Sequence, residues 1–106
     1  MPKINFSTSH QFSKPEEMMR ARILCQGIVA GYHLTTSQES WDDNGGMFSY
    51  IAMGTFKISG TFIVTASQAI LDIEVPNAVL FFIKLEDIKS FIRERAGVQF
   101  PPPALP

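Results

Sequence analysis

An α+β domain of two layers, one antiparallel sheet and two helices, is the fold class this sequence predicts, on three observations. From Met47 to Glu74 apolar and polar residues alternate, interrupted at Gly54-Thr55 and Ala66-Ser67-Gln68, as in an antiparallel meander. A helical repeat precedes that stretch at Met18, Ala21, Cys25, Ile28 and Tyr32, widened by Leu24 and Val29, and a second follows it at Phe81, Leu85, Ile88 and Ile92. The whole is 106 residues, enough for one core and too few for two.

In chain order, Lys3 to Thr8 places Ile4 and Phe6 on one side of a short strand. Ser13 is a helix N-cap with Glu16 three residues on, a capping box, and Pro15 fits the first turn; this helix runs to about Gly31. His33 to Trp41 is a weaker strand, rich in Thr and Ser, closed by Asp42-Asp43-Asn44-Gly45-Gly46. A two-residue turn at Asn44-Gly45 sets Trp41 opposite Phe48 on the outer face, whereas a five-residue loop sets it on the core side beside Met47. Burial of the indole is worth a few kcal/mol, which favours the core side.

A two-residue loop at Gly54-Thr55 pairs Met53 with Phe56, Ile51 with Ile58, Ser49 with Gly60 and Met47 with Phe62, giving one apolar face. Phe48, Tyr50 and Ala52 then face outward with Lys57, Ser59 and Thr61, while Leu71, Ile73 and Val75 extend the apolar face. After Pro76, Asn77 caps a helix from Ala78 to about Ala96, with Gly97 as its stop. The domain spans 1–97; residues 98–106 form a Pro-rich tail expected to be extended and poorly ordered.

Joining the elements as β-α-β-β-β-β-α without crossing connections gives the sheet order 1-5-4-3-2 with both helices on one face, a reduced helix-grip-like arrangement.

Nine basic and ten acidic residues, a net charge of −1 and no basic run provide no footprint for nucleic acid. The single Cys25 forms no intrachain disulfide and sits on a core stripe, where a small buried hydrophobe is expected rather than a nucleophile. No signal-peptide pattern opens the chain and the longest apolar run, Ala78 to Ile83, is too short for a transmembrane segment, so a cytoplasmic protein is expected. His10 and His33 are the only bases that titrate near neutral pH, and neither has a partner at useful spacing. His10, Cys25 and His33 lack metal-ligand spacing, and the acidic loop lacks the closing Glu of a calcium loop. The expectation is no catalytic residue, no metal and no cofactor.

Two features remain as candidate sites. Val79, Leu80, Phe81, Phe82 and Ile83 open the last helix apolar on every side, so they are buried from several directions or covered by a partner; Phe48 and Tyr50 on the outer sheet face join them as partner-binding candidates. Ser49 opposite Gly60 thins the apolar face, and with Phe62 and Trp41 outlines a pocket between sheet and C-terminal helix for an apolar or acyl ligand. The competing expectation is that Phe81 or Phe82 fills the gap, since interiors stay close-packed.

The pattern His10-x-Phe12-Ser13-x-x-Glu16, Arg20 or Arg22 on the helix, Tyr32 at its end, Trp41 before a short acidic-glycine turn, Phe48, Gly60-x-Phe62-x-Val64 and Leu71-Asp72-Ile73-Glu74-Val75, followed by a helix with a bulky apolar start, resembles the small polyhydroxyalkanoic acid system proteins of bacteria. The resemblance covers about Ile4 to Ala96 and includes no catalytic motif. It implies association with polyester storage granules or their proteins, without a reaction. The Pro-rich tail and the longer Asp42 to Gly46 turn depart from the pattern. A self-complementary patch at Val79 to Ile83 is equally a homodimer interface.

Overall fold

The computed structural model describes residues 2–9 and 12–100. A five-stranded antiparallel sheet is formed by β1 (Lys3–Ser9), β2 (Thr35–Asp42), β3 (Gly45–Ala52), β4 (Phe56–Val64) and β5 (Gln68–Glu74), in the order β1-β5-β4-β3-β2. Helix α1 (Lys14–Gly31) follows β1; a 3-10 turn (Asn77–Phe81) and helix α2 (Leu85–Gln99) follow β5. The α+β class and the strand order are those expected from the sequence.

Helix α1 begins where the sequence places it. Ser13 holds an extended backbone and its Oγ accepts from the Glu16 amide at 3.4 Å. The Glu16 carboxylate turns instead to Arg20, 3.1 Å away, so the capping box is half made. Ala21, Leu24, Cys25 and Ile28 are buried as their spacing requires, and so is Glu17, which the apolar repeat does not foretell.

The β3–β4 hairpin differs from expectation by one residue. Its loop is Met53-Gly54-Thr55, with positive φ at Met53 (54°) and Gly54 (74°) and the Thr55 amide donating to the Ala52 carbonyl. Ala52 therefore pairs with Phe56, Tyr50 with Ile58, Ser49 with Ser59, Phe48 with Gly60 and Met47 with Thr61. Strand β4 keeps its expected faces and β3 is inverted: Phe48, Tyr50 and Ala52 are buried, while Met47 and Met53 are exposed. One added loop residue flips every side chain of a strand. The gain is the burial of two aromatics, stacked with centroids 4.8 Å apart, in place of Met47 and Ser49.

Gly60 shows why the middle of the sheet is not hollow. A Cβ there would lie 2.6 Å from the Phe48 ring and 2.6 Å from the Asp72 carbonyl oxygen. The thin spot is filled by the residue paired with it, not by Phe81 or Phe82. Trp41 lies on the core side, against Gly46 and with its ring centroid 6.2 Å from that of Phe62. The β2–β3 turn that puts it there is Asp43-Asn44, a loop of two residues one step earlier than Asn44-Gly45, with the Asn44 amide donating to Asp42 Oδ1 at 2.7 Å.

The single C-terminal helix expected from Ala78 is two elements. The 3-10 turn ends at Phe81, and α2 starts at Leu85 after Lys84 and runs through Gly97 to Gln99. Its inner stripe is Ile88, Ile92 and Ala96, with Leu85 half-buried and Phe81 outside it. Phe100 is 3% exposed and packs on Phe62 and Phe12 with centroids 6.2 and 6.3 Å away. Residues 98–100 thus belong to the domain, contrary to the expected tail; the remainder of the Pro-rich segment, 101–106, lies outside the described residues, as does His10.

Candidate apolar docking site

Antiparallel order brings four features to one end of the molecule: the start of β1, the α1–β2 turn at Tyr32-His33-Leu34, the β3–β4 loop, and the connection from β5 to α2. That connection is the candidate site. Val75 is fixed by its amide to the Pro2 carbonyl at 3.0 Å. Pro76 then opens the 3-10 turn: its carbonyl accepts from Val79, and the Val79 carbonyl accepts from Phe82 at 3.0 Å and Ile83 at 3.1 Å. A single turn can seal only one side. Val79, 1% exposed, faces the core; Phe81 and Phe82 face outward at 87% and 69% exposure. Leu80 and Ile83 are half-buried between them.

Of the residues expected to meet a partner, Phe81 and Phe82 are therefore free to do so, whereas Val79, Phe48 and Tyr50 are core. The structure separates a sequence run that reads as uniformly apolar into an anchor and a projecting pair. Lys3, Lys57, Lys84 and Lys89 stand at this end with Glu74, Glu86 and Asp87, and Lys89 lies 3.7 Å from Glu86, so charges of both signs surround the turn.

Beneath the projecting turn lies a hollow of about 80 Å³ between sheet and helices. Val79 and Ile83 close it from the 3-10 turn, Ile88 and Ile92 from α2, Tyr50, Ala52 and Ile58 from the sheet, and Met53 from the β3–β4 loop. The expected pocket residues are elsewhere. Ser49 has turned to the opposite face of the sheet, Gly60 is covered by Phe48, and Phe62 and Trp41 pack near the far end with Phe100. The true lining was hidden because the one-residue loop difference assigned Tyr50 and Ala52 to the outside; the bulky run from Val79 to Ile83 was the usable signal.

Tyr50 and Cys25 share a hydrogen bond inside the core. Burial pushes the Cys25 thiol up to about 12, partly offset by Tyr50, and burial pushes the Tyr50 phenol up as well. A thiol so protonated is no nucleophile at neutral pH. His33 is exposed, in the left-handed conformation with φ 53°, as a turn residue. Among the described residues no group of three His, Cys, Asp or Glu side chains is placed to hold a metal ion, and no helix is long and apolar enough to cross a membrane.

The open face of the sheet carries a polar row through all five strands, Lys3, Glu74, Ser59, Ser49 and Gln38, each paired with the next. It floors an open depression of about 650 Å³. Its side chains are mostly hydroxyls, amides and charges of both signs, with Met47, Phe48 and Ile73 the large apolar groups that border it. No acid–base pair stands at the middle of the row, and beside it the same face exposes Met47 and Ile63.

No protein-family model, curated protein or solved structure matches the chain.

Proposed function

We propose that the protein is a non-enzymatic accessory module that docks on an apolar surface by laying Phe81 and Phe82 into it, the surface being that of a polyester storage granule or of a protein on it. The observation that carries this reading is the exposure of two adjacent Phe side chains, 87% and 69%, on a turn whose other side is fixed by buried Val79. Burial of a Phe side chain is worth roughly 1.5–3 kcal/mol, so two rings together suffice for reversible adsorption. The turn is already ordered by its hydrogen bonds to Pro76 and Val79, so little conformational entropy is lost on docking.

Charge favours a neutral phase over an anionic bilayer. Peripheral binding to anionic lipid draws on clustered Lys and Arg around the inserted residues, and here Lys3, Lys57, Lys84 and Lys89 are interleaved with Glu74, Glu86 and Asp87. The resemblance of the sequence to polyhydroxyalkanoic acid system proteins is the reason for proposing polyester as that neutral phase. Co-sedimentation with isolated polyester granules tests the reading: the wild type pellets with them, and a folded Phe81→Ser, Phe82→Ser variant stays in the supernatant. Equal pelleting of the variant would refute it. A homodimer through the same rings would show instead as a concentration-dependent mass in sedimentation equilibrium that the double variant abolishes.

A further inference from the structure

The hollow of about 80 Å³ and the projecting rings are two sides of one turn: Val79 and Ile83 line the space while Phe81 and Phe82 face outward. We infer that the hollow is a binding site for one short alkyl group of a neutral ester, about three carbons long, presented by the surface on which the two rings rest. The inference rests on the docking reading above and adds the ligand to it.

Size sets the first limit. An engineered apolar cavity of about 150 Å³ admits benzene, so a space half as large admits a chain of about three carbons and excludes a fatty acyl chain. Lining sets the second. Ile58, Ile83, Ile88 and Ile92 bring no polar group, and the polar ends nearest the space belong to tyrosines, of which Tyr50 is already bonded to Cys25. A carboxylate entering would lose its hydration with at most the Tyr32 hydroxyl to replace it, so a free acid is disfavoured and an uncharged alkyl side group is accepted. Position sets the third. Met53, 46% exposed, stands on the β3–β4 loop at the same end as the 3-10 turn and also lines the space, so the way in opens beside the docking rings rather than at the far end under Trp41.

Isoleucine residues from the sheet, the 3-10 turn and α2 line the space, which makes the test direct. With δ1-methyl-labelled isoleucine, titration with methyl butanoate is expected to shift the Ile58, Ile83, Ile88 and Ile92 methyl signals saturably, with a dissociation constant on the order of millimolar for so small a ligand. Butanoate ion and methyl octanoate are expected to leave them in place. Ala52→Leu, which adds about the volume of the ligand to the wall, is expected to abolish the shifts; if that variant fails to fold, Val79→Ile is expected to weaken binding several-fold. Phe81→Ser, Phe82→Ser is expected to keep the methyl shifts while losing granule binding, so the two claims fail separately. No saturable shift with methyl butanoate in the folded wild type would overturn the site, and equal shifts with methyl octanoate or butanoate ion would overturn the assigned ligand class, whatever the granule experiment shows.

Discussion

Gly60 concentrates the constraints of the sheet in one position. Neither neighbour of its missing Cβ can withdraw easily, because one is backbone and the other a ring stacked on Tyr50. Gly60→Ala is expected to lower stability by about 1–3 kcal/mol in urea unfolding, as overpacking does. Cys25 makes a second residue-scale prediction. Its thiol is held protonated up to about 12 from an ordinary 9.0, so the native state binds the proton more tightly than the unfolded chain. The resulting stability is fully present below pH 9 and is lost progressively as pH rises from 9 to about 12. Tyr50, shifted in the same direction, adds to the loss at the alkaline end. Urea unfolding at pH 7 and pH 10.5 checks the slope, and a thiol reagent at pH 8 is expected to leave folded Cys25 unmodified.

The β3–β4 hairpin and the last helix show what was legible at the level of elements. Alternation alone identified both strands, and the apolar pattern of β4 and β5 assigned their faces correctly. Strand β3 is ambiguous because each of its two faces is apolar: Met47 and Ile51 on one, Phe48, Tyr50 and Ala52 on the other. Gly54 argued for a two-residue loop, and the left-handed Met53 that lengthens it is a residue rarely found in that conformation. Burial of two stacked aromatics outweighed the preferred turn. Phe48→Lys is accordingly expected to prevent folding while Met47→Lys is tolerated within about 0.5 kcal/mol, as circular dichroism and thermal unfolding would show. In the C-terminal segment, helical spacing from Phe81 to Ile92 suggested one continuous stripe. The break at Phe82 to Lys84 is invisible to periodicity because apolar residues fill it. Past Gly97 the reverse applied: the helix continues because Phe100 reaches the space between Phe62 and Phe12. Phe100→Ala is expected to cost about 3–5 kcal/mol in the same assay, a loss that a disposable tail would not produce.

On the scale of the whole molecule, the two ends of the sandwich differ. Trp41, Phe62, Phe100 and Phe12 form a continuous aromatic chain at one end, with the Arg20 guanidinium 4.0 Å from the Phe12 ring and donating to the Gln99 carbonyl at 2.9 Å. That end is closed. The other end has a small hollow and two rings in water, a state that only an apolar contact improves. Strand order and layer arrangement followed from short connections and alternation, which is why the architecture was readable from sequence. The site was readable only as a region, Val79 to Ile83, since which of five apolar residues project depends on a single 3-10 turn. The measurement closest to the central claim is adsorption to a neutral polyester emulsion against anionic lipid vesicles, comparing wild type with Phe81→Ser, Phe82→Ser. Wild-type protein is expected to adsorb to the polyester and little to the vesicles, and the variant to lose adsorption with unfolding within about 0.5 kcal/mol of wild type. Undiminished adsorption by the folded variant would contradict that claim.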